Sequence, residues 1–324
     1  MSLIITGGAG FIGSKLARCF LEQGHHVLAL DNLCRGQREY IETLPYQERL
    51  TFVQADASDA AALLEVCAQY HARHPVSALW HLAANSDIPA GIAEAAVDLR
   101  DTFMTTYAVL EAMKKLGIKK LAFASSSAVY GDHGPDVILR EDMGPLLPIS
   151  NYGAMKLASE ALISAAAESF LAKAWIFRFP NVVGVPATHG VILDFIRKLK
   201  ENPDRLEVLG NGTQQKAYLH VDELVEAMLF IAGRDNGKCS LYNIGPDDSG
   251  CRVADIASAV VKRVSPEAQI LLGREGRGWV GDVPKFRYCV DKAASLGWKP
   301  RLSSLMAVSR AVEEIAKQEE IPSC

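Results

Sequence analysis

Tyr152 and Lys156 stand four residues apart in Tyr152-Gly153-Ala154-Met155-Lys156, downstream of a serine run, Ser125-Ser126-Ser127. At 3.6 residues per turn, this spacing puts a phenol and an ammonium on one face of a helix. A neighbouring ammonium favours the phenolate, so a tyrosine with an ordinary pKa of about 10 becomes a usable base nearer neutrality. A serine hydroxyl at the end of a strand completes a hydrogen-bonded trio around a substrate alcohol. Taken alone, the pattern is more often that of an amphipathic surface helix, and the rest of the chain has to decide.

The elements that position these groups are readable as alternation. Leu3–Thr6, Val27–Leu30, Thr51–Val53, Ala78–Leu82, Leu121–Ala124 and Trp175–Phe179 are short apolar runs expected as buried strands. Helical patterns lie between and beside them at Ser14–Glu22, Ala60–Tyr70 and Thr105–Leu116. Strands alternating with helices imply a parallel, doubly wound α/β sheet. After Pro180 turn residues become denser and helices shorter, which predicts a smaller mixed α/β lobe over the carboxyl ends of the strands, where open sheets take ligands.

Gly7-Gly8-Ala9-Gly10-Phe11-Ile12-Gly13 follows the first strand and opens a helix. Glycines at 7, 10 and 13 let backbone N–H groups approach a pyrophosphate at a helix N-terminus. Asp31 ends the second strand, where a carboxylate can bind both ribose hydroxyls of an adenosine and repel a 2′-phosphate, so NAD is expected over NADP. Arg35 nearby leaves an NADP reading open. Asp56, after the third strand, has two readings, a contact to the adenine edge or a helix N-cap.

The chain has 324 residues, a net charge of −4, 49% hydrophobic and 22% charged residues. These values describe an ordinary globular protein and carry no basic footprint for nucleic acid or a membrane surface. Seven cysteines at irregular spacing form no Cys-x-x-Cys pair or His/Cys cluster, so no metal is expected and the thiols should be reduced, as in a cytoplasmic protein.

With the glycine turn, Asp31-Asn32-Leu33, His81-Leu82-Ala83-Ala84, Ser125 to Gly131 and Tyr152-x-x-x-Lys156 in order, the chain resembles the extended short-chain dehydrogenase/reductases. Within them it is most similar to the nucleotide-sugar epimerases of the UDP-glucose (UDP-galactose) 4-epimerase group. The likeness continues through Phe179-Pro180-Asn181, Gly210 to Gln214, Tyr218 to Asp222, Gly278 to Val283 and Leu296 to Pro300. It implies a Rossmann-type NAD-binding domain over residues 1–179, with 217–245 packing back on it, and a nucleotide-sugar lobe formed mainly by 180–324. It also implies that Tyr152 is the general base, that Lys156 binds the nicotinamide ribose and tunes Tyr152, and that Ser126 binds the substrate hydroxyl. The cofactor set it implies is Gly7, Gly10, Phe11, Ile12, Gly13, Asp31, Asn32, Asp56, Ala57, Leu82, Ala83, Ala84, Tyr152, Lys156 and Phe179. The substrate set is Asn85, Ser126, Ser127, Asn181, Lys216, Arg277 and Asp282.

Related 4,6-dehydratases carry Thr-Asp-Glu before Val-Tyr-Gly, where this chain has Ser126-Ser127-Ala128. Without that acid and base, elimination of water is disfavoured and C4 epimerisation through a 4-keto sugar is expected. The alternatives are a 4-ketoreductase, a C2 or C5 epimerase, or a non-catalytic dinucleotide sensor. Lys216 and Trp279 stand where relatives have phosphate-binding arginines, with Arg277 or Arg274 as substitutes, and Thr102 replaces a helix asparagine. Phe286 points to unacetylated hexoses. His81 and His220 are expected to be structural. The family's homodimer packs the Tyr/Lys helix with the preceding helix, and Met104, Val109 and Leu162 are apolar candidates for that face.

Overall fold

The computed structural model describes residues 1–275, 283 and 285–322. Seven strands make the main sheet: β1 Ser2–Thr6, β2 His26–Asp31, β3 Leu50–Gln54, β4 Val76–His81, β5 Lys120–Ser126, β6 Lys173–Phe179 and β7 Cys239–Asn243. Their order is β7-β6-β5-β4-β1-β2-β3, and the pairings from β5 through β3 are parallel. The six expected strands are all present; five extend by a residue or more at one or both ends, and the one expected over Ala78–Leu82 starts two residues earlier and stops at His81. β7 was not among them.

The sheet is covered on both faces because its strands are apolar on both. Leu79 and Trp80 are neighbours in β4 and therefore point to opposite sides. Leu79 joins Ile4, Leu28, Leu121 and Phe123 in a core closed by Leu63 and Cys67 of helix Ala60–Arg73, Val109 and Met113 of Thr105–Leu116, and Ile163 of Asn151–Ser169. On the other side the Trp80 ring meets Phe20 of helix Phe11–Glu22 edge-on, with centroids 5.3 Å apart. We label the helices α1 (Phe11–Glu22), α2 (Ala60–Arg73), α3 (Ile88–Ala93), α4 (Thr105–Leu116) and α5 (Asn151–Ser169). Val109 is wholly buried and Leu162 packs against the same core, so of the three apolar residues considered for a dimer face only Met104 is exposed. Val109 falls on the inward stripe of α4, which the sheet takes up.

A π-helical turn, Leu99–Met104, leads into α4, which ends at Gly117 in the left-handed conformation (φ +71°), with Ile118 N–H bonded to Met113 C=O. α5 begins at Ser150, whose hydroxyl accepts from Gly153 N–H (3.1 Å). Gly153, Lys156, Ser159, Glu160 and Ile163 form its buried stripe. Gly153 is there for space: a Cβ would lie 2.4 Å from Ala128 C=O.

By contacts the chain divides into two compact units, Met1–Gly131 with Leu146–Arg178 and Met228–Tyr242, and Asp132–Pro145 with Phe179–Ala227 and Asn243–Cys324. The second holds short strand pairs, parallel for Asn181–Val183 with Tyr218–His220 and for Arg205–Val208 with Gln269–Leu272, and antiparallel for Gln215–Lys216 with Cys251–Arg252. Helices Val191–Glu201, Val253–Val264 and Ser304–Gln318 share its own core, which includes Ile196, Val260 and Val312. Among the described residues no helix is long and apolar enough to cross a membrane.

Gly153→Ala is expected to push α5 away from the end of β5 and to lower stability by about 1–3 kcal/mol through overpacking. A urea titration reads this as a lower midpoint at unchanged slope, and an unchanged midpoint would refute the close approach.

Candidate active site

Ser126 is the last residue of β5 and caps the 3-10 turn Ser127–Val129. Its oxygen accepts from Ala128 N–H (3.2 Å), and its hydroxyl is hydrogen-bonded to that of Tyr152. Lys156, one turn along α5, is 2% exposed, and its Nζ donates to Ala124 C=O at 2.6 Å. The ammonium lies 4.7 Å from the Phe123 ring centroid and 5.8 Å from that of Tyr152. Strand end, turn and helix thus bring the expected trio together.

Its electrostatics differ from the expectation that Lys156 lowers the Tyr152 pKa. Part of Tyr152 meets solvent, but its hydroxyl is enclosed by protein, and burial pushes it up to about 12. The Ser126 hydrogen bond works against the rise and the Asp98 carboxylate adds to it. Burial also pushes Lys156 down to about 7, opposed by the charges of Glu160 and Asp98. A lysine near half-charged at neutrality cannot by itself outweigh the desolvation of the phenol.

Two buried carboxylates that the sequence reading missed stand around the trio. Glu160, four residues after Lys156, accepts two bonds from Arg178 of β6 (2.9 and 2.6 Å) and the hydroxyl of Ser125. The Arg178 guanidinium lies 4.7 Å above the Tyr130 ring. An arginine inside the apolar run of β6 was the available signal, because such a charge needs a buried partner. Asp98 is wholly buried; desolvation raises its pKa against hydrogen bonds from Asn85 and Thr102. Thr102 Oγ1 also accepts from Asn85 N–H (3.2 Å), so the residue replacing the family asparagine ties the π-helical turn to the loop after β4. The Asn85 side chain is occupied there, donating to Asp98 and Asp87 C=O (both 2.9 Å) and accepting from Asp87 N–H (2.9 Å).

His81 is fully buried between Thr6 (2.7 Å) and Thr106 (3.1 Å), and burial first, then the Lys156 charge, holds it neutral with a pKa of about 3. His220, in the second unit, bonds Glu314 (3.0 Å), and Arg310 binds both Glu314 and Asp222. That arginine already supplies the counter-charge to a cluster that could otherwise suit a cation.

The glycine turn has the shape a dinucleotide requires. Gly7 has φ +71°, and a Cβ on it would meet Ala83 N at 2.8 Å, so the turn is pressed against Leu82 and Ala83. A Cβ on Gly13 would lie 2.0 Å from Gly7 C=O, whereas one on Gly10 would meet nothing nearer than 3.2 Å. α1 starts at Gly10 with no side-chain cap and no acidic residue in its first turn, leaving its positive end for an anion. Phe11 and Ile12 are half-buried beside it. The Asp31 carboxylate accepts from Ala9 N–H (3.0 Å) and Leu33 N–H (2.8 Å), with lone pairs left for hydroxyls. Asn32 is exposed and hydrogen-bonds Asp56, which also accepts from Ser58 N–H (2.8 Å) and hydroxyl (2.7 Å). The N-cap of α2 is Asp59, not Asp56, because Asp59 sits at the position whose carboxylate reaches Ala61 and Ala62 N–H. Ala57 is buried, Ala84 half-buried and Phe179 closes β6. These residues fit NAD. In the second unit Asn181 is exposed and pairs in register with Tyr218, two residues after Lys216. Phe286 is buried edge-on to Tyr288, and Arg277, Trp279 and Asp282 lie outside the described residues.

Residues 3–245 match the family described as NAD dependent epimerase/dehydratase, and the chain belongs to that family. It is 29% identical over 325 residues to the UDP-glucose 4-epimerase of Lacticaseibacillus casei, covering 94% of this chain and 93% of that one. A crystal structure of a UDP-galactose 4-epimerase matches with a TM-score of 0.85 at 36% identity, over 98% of this chain and 99% of the other. The Thermus thermophilus UDP-glucose 4-epimerase, solved in complex with NAD, matches with a TM-score of 0.82 at 26% identity, over 97% and 98%. The chain is therefore an NAD-dependent enzyme of the extended short-chain dehydrogenase/reductase type, similar over nearly its whole length to UDP-glucose 4-epimerases.

The Lys156 pKa falls from its ordinary 10.5 to about 7 on folding. The unfolded chain then holds a proton between these values that the folded one does not, so this group makes stability rise with pH across that window. Lys156→Met should remove the effect. Urea titrations of cofactor-free protein at pH 6 and 9 should show wild type gaining on the order of 2 kcal/mol relative to the variant. Equal pH slopes would mean that Lys156 keeps an ordinary pKa.

Proposed function

We propose that the enzyme inverts C4 of a nucleotide-linked hexose of the UDP-glucose/UDP-galactose type, through a transient 4-keto sugar. The hydrogen-bonded pair Ser126–Tyr152 over the enclosed Lys156 carries this reading, together with the absence of acid or carboxylate in Ser126-Ser127-Ala128. The names of the relatives point to the same reaction.

In this reading Ser126 holds the sugar 4-hydroxyl against Tyr152, whose phenolate takes its proton and later returns it. NAD, when bound, accepts and returns the hydrogen of C4 with its electron pair and adds a positive charge beside the phenol. The protein's own contribution to ionising Tyr152 is the Ser126 hydrogen bond, and Glu160 and Asp98 help to keep the Lys156 ammonium charged. Asp31 holds the adenosine ribose, the glycine turn with Phe11 and Ile12 takes the pyrophosphate, and Leu82 to Ala84 flank the path to the nicotinamide. Asn181 and Lys216 serve the nucleotide diphosphate, as does Arg277 in the sequence reading, which also counts Asp282 among the substrate residues. Lysine supplies charge there without the bidentate fork of an arginine. Phe286 fits an unacetylated sugar. Leu99, Met104 and Tyr107, exposed along the π-helical turn and α4, suit the face of a cytoplasmic homodimer.

Proton-resolved NMR of UDP-galactose with purified enzyme should show conversion to UDP-glucose without added reductant. Tyr152→Phe should lower the rate at least about 100-fold, the range for loss of a general base, while NAD remains bound. Full activity in that variant would sink the base assignment. Net consumption of NADH without inversion at C4 would favour the ketoreductase instead.

A further inference from the structure

Arg35 and Asp87 form an ion pair 52 residues apart in sequence, with side chains 43% and 35% exposed. Arg35 lies in the loop after β2 and Asp87 in the loop after β4. In the sheet these strands flank β1, so the pair spans two strand spacings, about 10 Å, across the carboxyl end of β1. That end carries the glycine turn.

Both ends of the connection are anchored. The Arg35 loop is tied down by Gln37 N–H to Ala9 C=O (3.0 Å), and it folds so closely over Asp31 that a Cβ on Gly36 would lie 2.7 Å from the carboxylate. Asp87 is held by its N–H to Asn85 (2.9 Å), and its Oδ1 caps α3 through Ala90 N–H (3.0 Å), leaving Oδ2 for Arg35. The next arginine, Arg38 at the start of the short helix Arg38–Glu42, is engaged with Gln54 and the Phe52 ring. We propose that Arg35 and Asp87 are cofactor-retention residues, a strap over the stretch between adenosine and nicotinamide that has to open before NAD can leave.

The inference rests on the cofactor placement given above, on Asp31 and the glycine turn. A dinucleotide lying from β2 toward β5 passes under the line joining the two loops, and its release requires their separation. The pair contributes little to folding where it is exposed. Its effect belongs in the rate of exchange, because that is the step in which it breaks.

The test is release of labelled NAD from the purified holoenzyme, chased with unlabelled NAD. Arg35→Gln and Asp87→Asn (the latter keeps an oxygen to cap α3) should each speed release about twofold to fivefold, as expected for loss of a half-exposed ion pair. The double variant should be no faster than either single one, since both remove one interaction. Arg35→Lys should retain most of the effect. Raising salt should speed release from wild type but not from Arg35→Gln. Unchanged release in both single variants, or additive effects in the double one, would overturn the strap while leaving NAD binding intact. A wild-type protein that binds no NAD would overturn the cofactor placement and the strap together.

Discussion

The candidate site depends on one close approach, that of α5 to the carboxyl end of β5. Gly153 lets the helix come against Ala128 C=O, where any side chain would stand it off. That contact sets the reach from Tyr152 to Ser126 and drives Lys156 against the carboxyl end of β5, where Ala124 C=O accepts from it. The Ser150 cap fixes the start of the helix, and its buried stripe down to Ile163 fixes its rotation. An alcohol, a phenol and an amine are thereby placed by backbone geometry rather than by their own attraction.

Burial then governs the charges. Both Tyr152 and Lys156 are driven toward their neutral forms, the phenol upward and the amine downward. Glu160 and Asp98 oppose this for Lys156 and so preserve a cation where the medium disfavours one. Arg178 and Ser125 satisfy the Glu160 oxygens, while Asp98 relies on Asn85 and Thr102. A buried pair of this kind adds little net stability compared with apolar packing, although losing one partner is costly. Its evident consequence here is a defined field around the amine.

The secondary structure was legible because each element has one dominant physical cause. Strands buried on both faces show as continuous apolar runs, and α4 shows as a 3.6-residue period ended by Gly117. β7 was harder to see, since Ser240 and Asn243 break its apolar run and its place beside β6 is a long-range pairing. Local spacing left two readings open at Asp56. Two carboxylates precede α2, and only the backbone path decides that Asp59 caps it. Val109 and Met104 look alike in sequence, yet one is core and the other surface, because the helix face that meets the sheet is a tertiary matter.

By itself the sequence determined the parallel sheet, the glycine turn that opens α1, and the pairing of Tyr152 with Lys156. Each of these follows from residue types at short, fixed spacing, and the resemblance to nucleotide-sugar epimerases came from such motifs in order. Only the tertiary structure decided how far burial shifts the trio, that Asp98 and Glu160 surround it, and that Arg35 reaches Asp87. Those are contacts between segments far apart in the chain. Their strength depends on desolvation, which is a property of the packed interior and not of any local run of residues.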